Sequence, residues 1–583
     1  MLGWLPARER WHWFGLLPVA ALAALIEAGG ALAVFGLLRL VIDPAQVKTS
    51  PVVSGLLAAG PSQDPRAVVA MLALGVALFY IVRAVFLAWS DWVRYGVVYR
   101  SAALVGERLL ARYLATDYLF HARRRSASLI EPLARATDIA YELGAASAVN
   151  IFAEVVIIAA LAAVLMVSAP PVTLVTVGIV LAIVVVSIVL MRRTSMAIGE
   201  REREFYQQQL HVLQQSLGAI KDMKVTGRQR FFEERFRHVK RELGMTKQRR
   251  AWTASAARLG VEAALILCML LVVFLVMRQD QQGGQVVSVL ALFAYTGFRV
   301  VPSANRIMLN IGYLREAHPW IRSVDDDLRH VRVSASREMT HDRPMLEDRL
   351  VCDHVSYRYE EGEPLALHDI SFTIQKGQSV GIVGPTGAGK STLVDVLLGL
   401  LPPTSGRVVI DGETLDGHER EWQRRIGYVS QDVYLLDDTL RRNVAFGVPD
   451  SAIDEARLGR AIEQARLDEV VAALPQKLDT MVGEDGVRLS GGQRQRVAIA
   501  RALYHDPPVL FFDEATAALD NQTEREVTEA IASVRGTRTV VAIAHRLSTV
   551  KSCDQLIYLR DGKLAGTGTY QELMADPEFR RLT

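Results

Sequence analysis

With 583 residues, half of them hydrophobic, the chain is too long and too apolar for a single soluble core. Its 66 basic and 63 acidic side chains leave a net charge of +3, so composition gives no bulk field for a nucleic-acid partner. Cys268, Cys352 and Cys553 are widely separated, which excludes a disulfide framework or a zinc cluster built on cysteine spacing.

Along the chain, apolar runs come first. A membrane-crossing helix needs about 20 apolar residues, and six runs approach or reach that length: Phe14–Val41, Val68–Val93, Ala148–Ser168, Val172–Met191, Val261–Met277 and Val286–Ile311. The first lacks a small-residue cleavage site after it and reads as a retained anchor. Pro170-Pro171 predicts a tight turn between the third and fourth spans, whereas 94–148 and 192–260 are long, charged and poor in Pro and Gly, so the helices are expected to continue well past the bilayer. Lys and Arg set the orientation. Arg8, Arg10, Arg123, Arg124, Arg125 and the basic run after Met191 stand against only Lys48, Arg66 and Arg278 on the opposite loops. The N-terminus, the long loops and the C-terminal half are therefore expected in the cytoplasm. Glu27, Arg83, Glu154, Glu262, Arg299 and Arg306 interrupt the spans. An ionised group facing lipid costs roughly 2.5–3.5 kcal/mol on insertion scales, so each is expected to face a cavity, to pair internally or to snorkel. The stretch 50–60 is apolar but too short to cross, and reads as an interfacial helix or an ordered loop.

From about Leu350 the pattern changes to short strands, turns and helices. Ser379–Gly384 is an apolar strand running into Gly384, Pro385, Thr386, Gly387, Ala388, Gly389, Lys390, Ser391 and Thr392, and a helical run follows. Strand, glycine loop and helix in this order make a phosphate-binding P-loop: backbone N–H groups close around the phosphates, Lys390 reaches the outer ones and the Ser391 hydroxyl ligates Mg2+. The apolar run 507–512 ends in Asp513, a carboxylate placed for the same magnesium, and Glu514 follows as the candidate general base or water-positioning group. His545, after the strand TVVAIA, is placed to contact the γ-phosphate. LSGGQ at 489–493 opens another helix, whose first-turn N–H groups make a second anion-binding terminus far along the chain from the first.

These motifs resemble the nucleotide-binding domain of an ABC transporter. The resemblance identifies Ser490, Gly491, Gly492 and Gln493 as the signature, Gln431 as the Q-loop residue on the magnesium and near the reacting water, Asp520 as the D-loop residue and Tyr359 as the aromatic on adenine; Glu484 matches an exporter element. Arg442 and Ala517 depart from the family's usual Glu and Ser. The resemblance implies an all-α transmembrane domain of six helices with long cytoplasmic extensions at 1–330, a linker at 331–349 and an α/β ATPase domain at 350–583. It also implies ATP and Mg2+ as cofactors, head-to-tail pairing of two such domains, and hence a homodimer with two working sites. Thr116–Ala122 and Lys224–Phe236 are the expected contact segments. The stretch Gln215–Phe236 is similar to that of bacterial lipid-linked oligosaccharide flippases, in which cavity arginines engage pyrophosphate; Arg83, Arg258 and Arg299 fall at corresponding places. The expected activity is ATP-driven flipping of a polyprenyl-pyrophosphate oligosaccharide, or another membrane lipid, across a bacterial inner membrane. The alternatives are an exporter of peptides, drugs or lipid A-like lipids, and a nucleotide-gated channel.

Overall fold

The structure is a computed structural model that describes residues 1–42, 65–168, 170–278, 283–331, 346–483, 486–513, 529, 536–543 and 550–581, with part of the side chains in the apolar spans left aside. The segment at 50–60 and residues 332–345 of the expected linker 331–349 lie outside these residues. The chain divides into two compact units, 1–116 with 120–333, and 334–583 with Asp117–Leu119.

The first unit is helical. Its long helices are α1 (Ala7–Ile42), α2 (Pro65–Leu114), α5 (Ala146–Ser168), α6 (Pro170–Gly218), α8 (Gln229–Arg278) and α9 (Gly283–His330). Shorter ones are α3 (Tyr118–Arg123), α4 (Ser126–Glu131) and α7 (Ile220–Thr226). At 1.5 Å per residue, the 50 residues of α2 and of α8 run about 75 Å, more than twice a ~30 Å hydrocarbon layer. Each of the six expected spans therefore lies inside a helix that outruns it. Among the described residues, Ala7–Gly30, Val69–Leu114 and Ser126–Ala163 are long and apolar enough to cross a membrane. The helical run from Ser126 contains two π-helical stretches, Pro132–Ala136 and Ala140–Ala145. The second sets the fully buried Tyr141 against Trp4 and Trp13.

Buried ion pairs brace the charged extensions. Glu131, fully buried, accepts from Arg203 Nε at 3.2 Å and Gln207 Nε2 at 3.0 Å. Glu202 accepts from Arg135 at 3.0 Å and Arg250 at 3.3 Å, and Arg250 also meets Glu316 at 2.8 Å. Each buried carboxylate thus has a guanidinium partner, which offsets the cost of taking it out of water.

The second unit holds two sheets. The smaller, β2-β1-β4-β5, pairs β1 (Arg349–Tyr357) with β2 (Leu367–Gln375) and with β4 (Ser405–Ile410), and β4 with β5 (Glu413–Thr414), all antiparallel. The larger runs β10-β9-β3-β8-β7-β6, from β3 (Ser379–Val383), β6 (Ile426–Val429), β7 (Val509–Asp513), β8 (Thr539–Ile543), β9 (Gln555–Arg560) and β10 (Lys563–Gly568). Strands β3 and β8 are buried along their whole length, as parallel strands covered on both faces must be. Leu119 packs against the core formed by β1–β4 and the helix after β3, so the three residues Asp117–Leu119 of the expected contact segment Thr116–Ala122 group with this unit.

Candidate nucleotide site and membrane cavity

The parallel order β3-β8-β7-β6 brings four carboxyl ends to one edge of the sheet. Ile382 of β3 and Asp513 of β7 both stand level with Ile543 of β8, and Val429 of β6 pairs with Phe512. The P-loop, Asp513 and Gln431 therefore leave the sheet side by side, the place where open α/β sheets bind ligands. Glu514, Asp520, His545, Glu484 and Ala517 lie outside the described residues.

The P-loop needs its glycines. A Cβ on Gly384 would stand 2.2 Å from the Leu559 carbonyl oxygen, a backbone atom that cannot turn away. Gly389, at φ +92°, is the N-cap of α10 (Lys390–Leu397), and a Cβ there would stand 2.8 Å from the Ala366 oxygen. Lys390 is buried and donates from Nζ to the carbonyls of Gly384 at 2.9 Å and Pro385 at 3.0 Å, so its ammonium sits inside the loop's curve. Tyr359 meets Thr392 Oγ1 through its hydroxyl at 3.0 Å and stands edge-on to Tyr357, leaving a part-exposed ring beside the start of α10. These groups fit a nucleotide's phosphates and base. Ser391, Gln431 and Asp513 offer hydroxyl, amide and carboxylate oxygens, the hard donors that Mg2+ takes.

Two neighbours of Asp513 escaped the sequence reading. Tyr428, on β6, donates its hydroxyl to Asp513 Oδ2 at 3.4 Å. Burial, and then the charge of Asp513, push the Asp395 carboxyl up to about 6. The same two causes raise the Tyr428 hydroxyl above its usual range. The helical spacing from Lys390 to Asp395 gave no warning, because the proximity comes from sheet order.

The signature helix α13 (Gly491–Tyr504) follows α11 (Leu440–Val444) and α12 (Glu455–Gln464). Ser490 is its N-cap in a reciprocal capping box: Ser490 Oγ accepts from Gln493 N at 3.2 Å and Gln493 Oε1 accepts from Ser490 N at 2.9 Å. The box occupies the Gln493 N–H, which leaves Gly491 and Gly492 as the glycine donors of the first turn. At the other end Arg501, its pKa lowered by burial, donates to Asn443 O at 2.9 Å, Asn443 Oδ1 at 3.0 Å and Tyr434 O at 2.8 Å. This ties the helix to the segment after Gln431. Arg442, the departure from the family's usual Glu, forms ion pairs with Asp438 and Asp450.

In the first unit two of the three expected arginine side chains are described. Arg83 stands 3.5 Å from Glu27 and over the Tyr80 ring, so it is held in an α1–α2 ion pair. Arg258 lines a different, small pocket with Ser195, Asn305 and Glu316. The Arg299 side chain lies outside the described set. A larger pocket opens between α1, α2, α5 and α9, with Glu27, Asp91, Arg94, Glu154 and Arg306 in its wall. Arg306 binds Glu154 through two nitrogens, Nη2 at 3.1 Å. Arg94 pairs with Asp91 at 2.8 Å and meets Asn150 at 2.5 Å. Glu154 and Arg306, read from sequence only as span interruptions, face this cavity and each other.

A P-loop nucleotide domain following a bundle of long apolar helices defines a membrane-bound nucleotide-dependent protein. Comparison narrows this further. Residues 24–300 match the family model of the ABC transporter transmembrane region, and residues 367–517 match that of the ABC transporter. The chain is similar over 97% of its length, and 96% of the other's, to a structure described as a bacterial Atm1-family ABC exporter with ATP bound, at 27% identity and a TM-score of 0.78. It is 36% identical over 372 residues to an ATP-dependent lipid A-core flippase of Cupriavidus pinatubonensis, 63% of this chain and 62% of that one. To the protein of the same name in Ralstonia nicotianae it is 47% identical over 224 residues, 38% of each. The matched part thus spans under two thirds of these relatives' length. The chain belongs to the ABC transporters, as an exporter half-transporter with one membrane region and one ATPase domain.

Proposed function

We propose that two copies of this chain pair in a bacterial inner membrane, hydrolyse ATP on their cytoplasmic domains, and move an anionic amphipathic lipid from the cytoplasmic to the outer leaflet. The observation that carries the ATPase reading is the sheet edge at which the P-loop, Asp513 and Gln431 emerge together. Residues 384–392 hold the phosphates through backbone N–H groups and Lys390, and Tyr359 takes the adenine. Ser391, Gln431 and Asp513 hold Mg2+, which neutralises charge on the phosphates. Glu514 orients the attacking water, and His545 contacts the γ-phosphate. The signature at Ser490–Gln493 and Asp520 from a second copy close the site, because a helix terminus already folded around its own cap needs only a phosphate in front of it.

The lipid part rests on the charged cavity at Glu27, Asp91, Arg94, Glu154 and Arg306, and on relatives named as lipid A-core flippases. A polar-walled cavity among apolar helices accommodates a headgroup during passage. A phosphorylated saccharolipid of the lipid A-core type is the preferred cargo. The polyprenyl-pyrophosphate reading keeps the likeness in Gln215–Phe236; Arg83 is paired with Glu27 just as Arg94 is with Asp91 and Arg306 with Glu154, so the preference between the two cargoes rests on the relatives' names. Proteoliposomes holding a fluorescent lipid A-type lipid or a polyprenyl-pyrophosphate sugar decide between them. ATP added outside acts on copies whose ATPase domains face outward, so an ATP-dependent gain of protection from an external quencher is expected for the first; flipping of only the second would overturn the preferred cargo.

A further inference from the structure

The cavity between α1, α2, α5 and α9 presents both signs of charge rather than one. Each ionisable group in its wall has an opposite partner: Glu27 meets Arg83 at 3.5 Å, Asp91 meets Arg94 at 2.8 Å, and Glu154 holds Arg306 through two nitrogens. The members of the last two pairs differ in access. The Asp91 side chain is 57% exposed against 24% for Arg94, and that of Arg306 is 42% exposed against 11% for Glu154. The more accessible charge is therefore an anion on α2 and a cation on α9. A row of amides links the two: Arg94 donates to Asn150 Oδ1, Asn150 Nδ2 donates to Asn310 Oδ1 at 3.1 Å, and Asn310 Nδ2 donates to the Arg306 carbonyl at 2.7 Å.

These groups stand at the cytoplasmic ends of the expected spans. Asp91 lies two residues before the end of Val68–Val93, Asn150 two residues after the start of Ala148–Ser168, and Asn310 one residue before the end of Val286–Ile311, each within about 3 Å along its helix. Trp89, Trp92 and Tyr95, all exposed, flank Asp91 along α2, as aromatic side chains do at a membrane interface. A purely anionic headgroup at this level would gain Arg306 but meet the Asp91 carboxylate, and like charges repel. A group carrying both a phosphate and an ammonium instead completes an alternating row: Arg94, Asp91, ammonium, phosphate, Arg306, Glu154. Every charge in that row has a neighbour of opposite sign, so entry strands none of them. The planar fork of Arg306 suits phosphate oxygens, and the three N–H donors of a primary ammonium suit a carboxylate.

We propose that this cavity takes a zwitterionic headgroup, with its phosphate on Arg306 and its primary ammonium on Asp91. The inference rests on the reading of the cavity as the cargo headgroup's site and narrows it: the lipid carries an amine beside its phosphates, and it stays anionic overall where phosphates outnumber amines.

Native mass spectrometry of the full chain in detergent, without nucleotide, tests it with phosphatidylethanolamine and phosphatidylglycerol of the same acyl chains, which share the phosphate and differ in the ammonium. The wild type is expected to bind phosphatidylethanolamine about fivefold more tightly. Equal binding, or a preference for phosphatidylglycerol, overturns the inference before any variant is made. Asp91→Asn should abolish the preference by weakening phosphatidylethanolamine alone, at an unchanged melting temperature, and Asp91→Glu should restore it. A preference that survives Asp91→Asn overturns the place given to the ammonium. Glu154→Gln/Arg306→Gln, which removes the second pair together, should weaken both lipids alike; unchanged binding there overturns the place given to the phosphate. Arg306→Lys, which keeps the charge and loses the fork, reads the same end where the double variant does not fold. Absence of ATP-driven flipping with the binding preference intact counts against the proposed transport alone.

Discussion

The two units hold their charges in opposite ways. In the ATPase unit the functional groups hang from the ends of parallel strands, so strand order alone gathers residues as distant as Gly384, Gln431 and Asp513. In the membrane unit there is no such edge. Charged groups meet wherever helix faces meet, as Glu154 on α5 meets Arg306 on α9, and function is distributed over pockets. A strand-end site concentrates its sensitivity in a few residues; a helix-face cavity spreads it.

That contrast ranks the effects of substitution. Largest should be Glu514→Gln, which lowers ATP turnover by about a hundredfold or more while leaving nucleotide bound; radiolabelled ATP retention and phosphate release measured together check both halves. Undiminished turnover would remove Glu514 from its assigned role. Lys390→Ala should weaken ATP binding by about tenfold or more, read by fluorescent-nucleotide titration, because the ammonium sits inside the loop's curve.

Next comes the membrane cavity. Arg306→Gln strands Glu154, only 8% exposed, and should destabilise the chain by about 2 kcal/mol, below the range of a fully buried pair because the arginine side chain is 42% exposed. Glu154→Gln should cost less and the double variant less than the sum, as thermal unfolding in detergent would show. Additive losses would mean the two groups are not coupled.

Smallest is a pH effect in the ATPase unit. Asp411 is opposed by its own desolvation, but the backbone N–H groups of Glu347, Asp348 and Arg349 bind it and bring its pKa below the usual value. A carboxylate held low in the fold stabilises it above the unfolded pKa near 3.8 and loses that contribution as pH falls through the folded value. Asp411→Asn should therefore lower the melting temperature at pH 7, with the gap from wild type closing in strong acid. A gap that persists there would mean the charge is not what matters.

The same contrast explains what was legible in the sequence. The P-loop and LSGGQ read directly, because fixed backbone geometry demands glycine at fixed offsets. The long helices read from apolar run length and the scarcity of Pro and Gly. Side-chain partners between helices did not read. Arg83 pairs with Glu27 because the phases of α1 and α2 bring them together, and one sequence does not give relative phase. Tyr428 and Asp395 near Asp513 were hidden for a related reason: strand order, which sets their proximity, leaves no local trace in the spacing of residues.

Two copies sharing each nucleotide site is the central requirement of the proposed cycle. The direct test is ATP turnover per chain in lipid nanodiscs loaded with one copy or with two. Hydrolysis in two-copy discs and its near absence in one-copy discs is the predicted result; equal turnover per chain in both would contradict it.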